Sequence, residues 1–289
     1  MMQTDDIKLS VCICTRNRPQ ELLRALASID RSQAPAHQVI VSDDSTDDVT
    51  RREVAANFPS VTYLPGPRRG LSANRNTALR HASGTHILFI DDDVEIGPSF
   101  LRQAAARLAA EPPHTILTGM EINHGTPVHP HKPSFLGYQA LEYRPADSYE
   151  TIVINATVFP KTLFETALFD ENLVYGCEEM DFSVRAVLLY NHKILFDPAL
   201  ANAHFPSPRN RDFYAPFMEA SRLYVTFKRY AWVEKRSLKA LAFLLLGTAH
   251  IFAHDVRRRG LPGLRAFTAT MSRAAAYTRN CRADLKRYV

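Results

Sequence analysis

The carboxylates of this chain are gathered where they could act together. Asp91, Asp92 and Asp93 follow directly on the apolar run His86-Ile87-Leu88-Phe89-Ile90. Three adjacent carboxylates repel one another unless something cationic neutralises them, and a divalent ion bridging to a polyphosphate does this economically. A solvated acidic loop is the plain alternative. The preceding run, as long as a buried strand, fixes the direction of the acids and favours a site. A second acidic turn, Asp43-Asp44-Ser45-Thr46-Asp47-Asp48, follows the short apolar stretch Val39-Ile40-Val41. A third group, Glu178-Glu179-Met180-Asp181, comes after Tyr175-Gly176-Cys177; a positioned carboxylate there can take the proton of an attacking hydroxyl. His124, His129 and His131 lie among Pro127, Pro130 and Pro133. They read as a solvated loop rather than a metal site, because no regular element fixes their spacing.

The elements that must carry these groups alternate. Ile7 to Thr15 has a strand pattern and is broken by Arg16-Asn17-Arg18-Pro19, after which Leu22, Leu23, Leu26 and Ile29 have helical spacing. A short strand at 38–41, a helix carrying Val49, Val54 and Phe58, and a strand at 61–64 follow. A loop at 65–71 leads to a helix containing Asn74-Arg75-Asn76, which ends at Ser83-Gly84. The order β-α-β-α-β-α-β predicts a parallel sheet with right-handed crossovers, and both acidic loops should open on one rim of it. Further on, 99–110 reads as a helix and 151–159 as a strand interrupted by Asn155. A helix at 163–169 and another carrying Val184, Val187 and Leu188 follow, then a strand at 193–196, an extended piece at 200–204 and helices from Pro216.

A chain of 289 residues with 46% hydrophobic content can bury a full core, as one large α/β domain or one domain with an appendage. The start, Met1-Met2-Gln3-Thr4-Asp5-Asp6, lacks the pattern of a secretory signal, and Cys12, Cys14, Cys177 and Cys281 form no disulfide framework, so an intracellular protein is expected. Cys12 and Cys14 share one side of a strand and read as small hydrophobes. The net charge of +5 hides an asymmetry: from Arg222 onward fifteen Lys and Arg face three acids, a surplus of +12 that leaves −7 on the first 221 residues. An acidic body with a basic tail suggests a tail that meets an anionic surface. Within that tail, Ala240 to Ala253 is apolar but shorter than the ~18–20 residues that span a bilayer. It predicts either a core helix or an interfacial helix in the headgroups of an anionic membrane. No nucleic-acid-binding motif accompanies the basic residues, and no nucleic-acid partner is expected.

Five segments in order carry a resemblance to family 2 glycosyltransferases, inverting enzymes of the GT-A fold that use nucleotide-diphosphate sugars. Ser10 to Arg18 resembles that family's first strand and turn, and Val41 to Asp47 its "DDGSTD" segment, with Asp44 in place of the glycine. Ala73-Asn74-Arg75-Asn76 is similar to the "AARN" helix, Asp91-Asp92-Asp93 to the DxD motif, and Gly176 to Phe182 to the "GEDxDF" segment. His204 matches a late histidine common in the family. The likeness runs from about residue 9 to 215. It implies a Rossmann-like α/β fold, with a mostly parallel sheet flanked by helices and a helical, basic C-terminal extension.

The resemblance also implies roles. Thr15, Arg16, Arg18 and Asp43 would grip the base and ribose, and Arg75, Asp91 and Asp92 would serve the donor. Asp93, with Asp91 and His204, would bind Mn²⁺ or Mg²⁺. The general base falls on Glu179, with Glu178 and Asp181 as other candidates, since the family's Glu-Asp is Glu178-Glu179 here. The segment Pro206 to Arg211 reads as a basic surface loop or a lid over the diphosphate. The catalytic unit would occupy 1–215, nucleotide-sugar half about 1–100 and acceptor half about 101–215, followed by a helical, basic extension at 216–289 that either packs on it or meets a membrane. The expected partners are a nucleotide-diphosphate sugar, a glycan or lipid-linked acceptor and an anionic membrane surface, at the cytoplasmic face of the cell membrane. A metal-dependent nucleotidyltransferase and a catalytically silent membrane scaffold are the competing readings; the first would want a Gly-rich phosphate loop that Arg16-Asn17-Arg18-Pro19 does not supply.

Overall fold

The computed structural model describes residues 3–206 and 211–283. Four parallel strands form one half of a nine-stranded sheet: β1 (Leu9–Thr15), β2 (Gln38–Asp43), β3 (Thr62–Pro65) and β4 (His86–Asp91), in the order β3-β2-β1-β4. Helices α1 (Pro19–Asp30), α2 (Val49–Asn57) and α3 (Leu71–His81) are the crossovers between them. Every residue of β1 is buried, because helices cover both faces of a parallel sheet. Val11 and Ile13 pack with Leu22, Leu26 and Phe100 on one face, while Cys12 packs with Phe89, Phe159 and Phe169 on the other. The registers pair Thr15 with Asp43 and Cys14 with Asp91. Both acidic strand ends therefore open on one rim, as the alternation predicts.

The second half of the sheet mixes parallel and antiparallel pairs. After β5 (Val94–Glu95) and α4 (Phe100–Ala109), β6 (Thr115–Asn123) enters the sheet, followed by β7 (Thr126–Val128) on its flank and a small hairpin, β8 (Lys132–Pro133) and β9 (Gln139–Leu141). Strand β10 (Thr157–Pro160) is antiparallel to both β4 and β6, and β11 (Lys193–His204) is parallel to β6. The end of β11 pairs with β5, His204 opposite Val94, which carries that histidine back to the acids after β4.

Several expectations change here. Residues 115–123, given no element from sequence, form the long strand β6. The expected strand at 151–159 is a 3-10 turn, Ile154–Ala156, followed by the shorter β10. The expected helix at 163–169 is a 3-10 turn at Lys161–Glu165. The pieces at 193–196 and 200–204 are one strand whose register shifts between Phe196 and Ala201, where Pro198 cannot donate to the ladder. Of the expected lid, residues 207–210 lie outside the described residues.

Helix α5 (Glu178–Leu188) joins this sheet to the C-terminal helices α6 (Arg211–Lys228), α7 (Ser237–Arg259) and α8 (Leu261–Ala283). Leu173, Met180 and Val184 share a core with Leu223, Tyr224, Phe243 and Tyr277. Beneath it, the buried Lys228 ammonium sits 2.8 Å from Asp170 and 2.9 Å from Asp181, and Arg185 donates to Asp181 at 2.9 Å. Helix α7 is packed on the core along one side, as the first of its two expected roles requires, and exposed along the other. Ala240, Phe243, Gly247, Ile251 and Asp255 recur at helical spacing and are buried, whereas Leu238, Leu241, Leu245 and Leu246 are exposed. At 23 residues it exceeds the apolar stretch read from sequence, and by length and composition it is long enough to cross a membrane.

Candidate active site

Three consecutive residues of α3 hold the site together by pointing in three directions. Successive helical side chains are about 100° apart, and all three are buried. Asn74 donates to the Ser42 carbonyl at 3.0 Å and so pins β2. Asn76 bonds both backbone groups of Phe169, donating at 2.9 Å and accepting at 3.1 Å. Arg75, between them, donates to Asp91 at 3.3 Å and to Glu178 at 3.2 Å, over the face of Phe169. One guanidinium thus ties the β4 tip to the start of α5.

The acids after β4 are braced on every side. Thr15 donates to Asp92 at 2.8 Å, and Arg18 forks across Asp92 at 2.7 Å and Asp93 at 2.9 Å. Pro19, at the first turn of α1, starts the helix just after that arginine. The backbone N–H of Asp91 donates to the Asn155 side chain at 2.9 Å, and Asn155 donates in turn to Glu121 at 3.0 Å. His204 lies between two carboxylates, Nε2 3.2 Å from Asp93 and Nδ1 3.1 Å from Glu121. The Nδ1 contact has ion-pair distance without hydrogen-bond alignment. Burial works to lower the His204 pKa, but Asp93 and Glu121 outweigh it and push it up to about 10. Asp93 is correspondingly held below the ordinary carboxylate range, His204 and Arg18 overcoming its burial. Burial pushes Asp92 up to about 7 against the pull of Arg18 and Thr15.

Across the cleft the helix α5 begins at a tight turn. Gly176 and Cys177 both take left-handed backbone angles, φ 86° and 63°, which at the cysteine costs about 1–2 kcal/mol. A Cβ on Gly176 would press on Met218 of α6. The turn presents Glu178 and Glu179 in the first helical turn, where the helix dipole favours negative charge. Glu178 is buried against Arg75, and its second oxygen has no partner. Asp181 is engaged by Arg185 and Lys228, facing away from the cleft. Glu179 is half-buried and, among the described residues, carries no ion pair and no side-chain hydrogen bond. Burial first, and the Glu178 charge second, push its carboxyl up to about 7.

These groups line one cavity of about 780 Å³, which includes Thr15, Arg16, Arg18, Arg75, Glu179 and His204 together with all three acids after β4. That volume suits a ligand of nucleotide-sugar size. Donor atoms of Asp91, Asp93 and His204 lie within 4.8 Å of one another, and two carboxylates with one imidazole fit a hard or borderline divalent cation. Asp43 is set apart from the other expected residues. It accepts from Tyr63 at 2.6 Å and from the Ser45 N–H at 2.7 Å, and it lies behind the cleft wall, which Asp44 lines instead. Gly66 closes that wall: any Cβ there would collide with the Asp44 carboxylate and the Asp43 backbone. Sequence reading missed Glu121, Asn155 and Tyr63. Asn155 was visible as a polar residue breaking an apolar run.

Comparison with known proteins identifies the family and the fold. Residues 10–171, more than half of the chain, match the family described as Glycosyl transferase family 2. The putative colanic acid biosynthesis glycosyl transferase WcaA of Escherichia coli K12 is 28% identical over 187 residues, covering 63% of this chain and 67% of WcaA. The poly(ribitol-phosphate) β-N-acetylglucosaminyltransferase TarS of Staphylococcus aureus Mu50 is 30% identical over 207 residues, covering 67% of this chain but 35% of TarS, so the match spans about a third of that protein. Among solved structures, GalNAc-T7 with UDP, GalNAc and Mn²⁺ superposes with a TM-score of 0.62 at 15% identity, over 76% of this chain and 47% of that one. A fragment of TarS in complex with UDP gives 0.55 at 19% identity, over 96% and 92%. The likeness to these two structures is one of fold, the GT-A arrangement of a mostly parallel sheet with flanking helices. On the match to the family model over more than half of its length, the chain belongs to glycosyltransferase family 2 and is a glycosyltransferase.

Proposed function

We propose that this enzyme moves a sugar from a nucleoside-diphosphate donor to a hydroxyl of a glycan or lipid-linked acceptor, by a single inverting displacement, in surface polysaccharide or glycolipid synthesis. One observation carries the reading. A carboxylate at a helix start with no partner among the described residues, Glu179, shares a cavity with strand-tip acids that are already braced. A group left free beside groups held fast is the division of labour that such a transfer needs.

Asp91, Asp93 and His204 would hold Mn²⁺ or Mg²⁺, which when bound stabilises the charge developing on the leaving diphosphate. Glu121 keeps His204 directed at that position, an outer partner of the usual kind. Arg18 fixes the rotamers of Asp92 and Asp93, and Arg75 those of Asp91 and Glu178. The base and ribose meet Thr15, Arg16 and the Asp43–Asp44 turn. There Asp44 faces the cleft, while Asp43, bonded to Tyr63 and Ser45, holds the turn from behind. Glu179 accepts the proton of the acceptor hydroxyl as its oxygen bonds to C1 and the C1–phosphate oxygen bond breaks. No covalent nucleophile is required. Residues 1–100 serve the donor in this reading and 101–215 the acceptor, with 216–289 as an extension.

The extension would rest on the cytoplasmic face of an anionic membrane. Leu238, Leu241, Leu245 and Leu246 project from α7 and Leu261 from the start of α8, with Lys235 and Arg236 at one end and Arg257 to Arg259 at the other. The transfer reading is tested first by a thermal-shift panel of UDP-, GDP- and dTDP-sugars with Mn²⁺; UDP leads the panel because the TarS and GalNAc-T7 structures contain it. Proton NMR of the product then reports the anomeric configuration. Retention of the donor's configuration would sink the single-displacement mechanism.

A further inference from the structure

Two of the three loop histidines meet on the opposite lip of the same cleft. His129 and His131 precede β8, and Glu142 follows β9, so one short hairpin brings them together. His129 Nε2 is 3.0 Å from one oxygen of Glu142, and His131 Nε2 is 3.1 Å from the other. The two imidazoles are stacked, with centroids 4.5 Å apart. His124 takes no part; its ring lies against Phe205.

The hydrogen bonding shows what belongs between these groups. His131 Nδ1 is 2.8 Å from the His129 carbonyl, which can only accept, so Nδ1 carries a proton. In the neutral ring Nε2 then bears a lone pair, and that lone pair faces a carboxylate oxygen. Two lone pairs at that distance repel, so a cation must lie between them, either a second ring proton or a metal. A ring N–H donated to a backbone carbonyl is also the usual support of a metal-bound histidine, fixing its tautomer and orientation. The backbone is held as well: Thr151 donates to the His131 carbonyl at 2.8 Å, and Pro130 between the histidines is buried.

We propose that His129, His131 and Glu142 form a second cation site, for a divalent transition metal of the zinc class. The two ring nitrogens lie 3.0 and 3.1 Å from Glu142, close to the ~3.3 Å between neighbouring ligands of a tetrahedral zinc site, and all three donor atoms fall within 4.8 Å of one another. Two imidazoles and one carboxylate suit zinc better than magnesium, whereas the Asp91–Asp93–His204 set is richer in oxygen. Three protein ligands leave a fourth position, and since His129 and His131 line the cavity, that position opens toward the cleft. The bound ion would clip the hairpin to the lip of the site. This assignment does not depend on the transfer mechanism.

The test is metal binding by the whole protein, stripped of metal and titrated at neutral pH with zinc by calorimetry and with Co²⁺ by visible absorption. Wild type should take up zinc and show the intense bands of four-coordinate Co²⁺. The double variant His129→Gln/His131→Gln should lose one equivalent, binding there falling by ~100-fold or more, while Asp93→Asn should keep it. The partly exposed histidines can be replaced without emptying a core, and the metal-free melting point checks that the variant folds. Zinc uptake unchanged in the double variant overturns the site. So does uptake abolished by Asp93→Asn alone, or no uptake by wild type, which would leave a proton between the rings and Glu142.

Discussion

The two walls of the cleft are built on opposite principles. On the strand-tip side every acid is engaged: Asp91 by Arg75, Asp92 by Thr15 and Arg18, Asp93 by Arg18 and His204. On the α5 side Glu178 and Asp181 are engaged as well, by Arg75 and by Arg185 and Lys228, and Glu179 alone of the three has no partner among the described residues. The braced wall is pre-organised, with its rotamers locked before any ligand arrives. The opposite wall keeps one carboxylate whose affinity for a proton is raised by its surroundings. Holding a ligand and exchanging a proton make opposite demands on a side chain, and Arg75, reaching both walls, sets the distance between them.

Removing that shared residue should have the largest effect. Arg75→Met leaves Asp91 and Glu178 without their buried cation, and breaking such a pair costs about 3–5 kcal/mol. Urea denaturation should register that loss and turnover should disappear with it; stability within about 1 kcal/mol of the parent would mean that the walls are held apart by something else. Glu179→Gln isolates the free carboxylate. It should cut turnover ~10²–10⁴-fold with little change in melting temperature, while Glu178→Gln should disturb stability more than rate. The reverse pattern would exchange the roles of the two glutamates.

A pH profile sharpens the same contrast. Because the Glu179 carboxyl sits at about 7 and must be ionised to accept a proton, kcat/KM should rise with pH through that value to a plateau. Below it, the loss should approach about tenfold per pH unit. A midpoint in the ordinary carboxylate range, near ~4.3, would point to a different base. The smallest effect belongs to the exposed leucines. Leu245→Ser should change stability by no more than ~0.5 kcal/mol, yet weaken sedimentation with anionic vesicles by roughly tenfold, the worth of one buried leucine. Equal sedimentation of variant and parent would remove α7 from the membrane reading.

The parts legible from sequence were those that depend on neighbours along the chain. Strands β1, β2 and β4, their crossovers and the acids at their tips follow from alternation and length, and their registers place Thr15, Asp43 and Asp91 on one rim. Partners from distant segments were not legible. Glu121 comes from β6, where Gly119 and Glu121 mask the strand pattern; the glycine is needed because the Leu200 backbone passes too close for a Cβ. The roles of Glu178, Glu179 and Asp181 could not be separated by spacing, since Arg75 and Lys228, 103 and 47 residues away, decide which acid stays free. The histidines tell a similar story: their own segment gives no reason for them to converge, and Glu142 supplies it from the other arm of the hairpin.

Lys228 has a consequence for anyone who trims the chain. Its ammonium reaches from the last turn of α6 into a wholly buried pocket beneath the helix that begins with Glu178 and Glu179. A protein cut near residue 215 would lose more than the proposed contact with lipid. Asp170 would be stranded without its counter-ion, and the keel under α5 would be gone. Helix α6 is thus no detachable appendage: through Lys228 it is cast in one piece with the wall that carries Glu178 and Glu179.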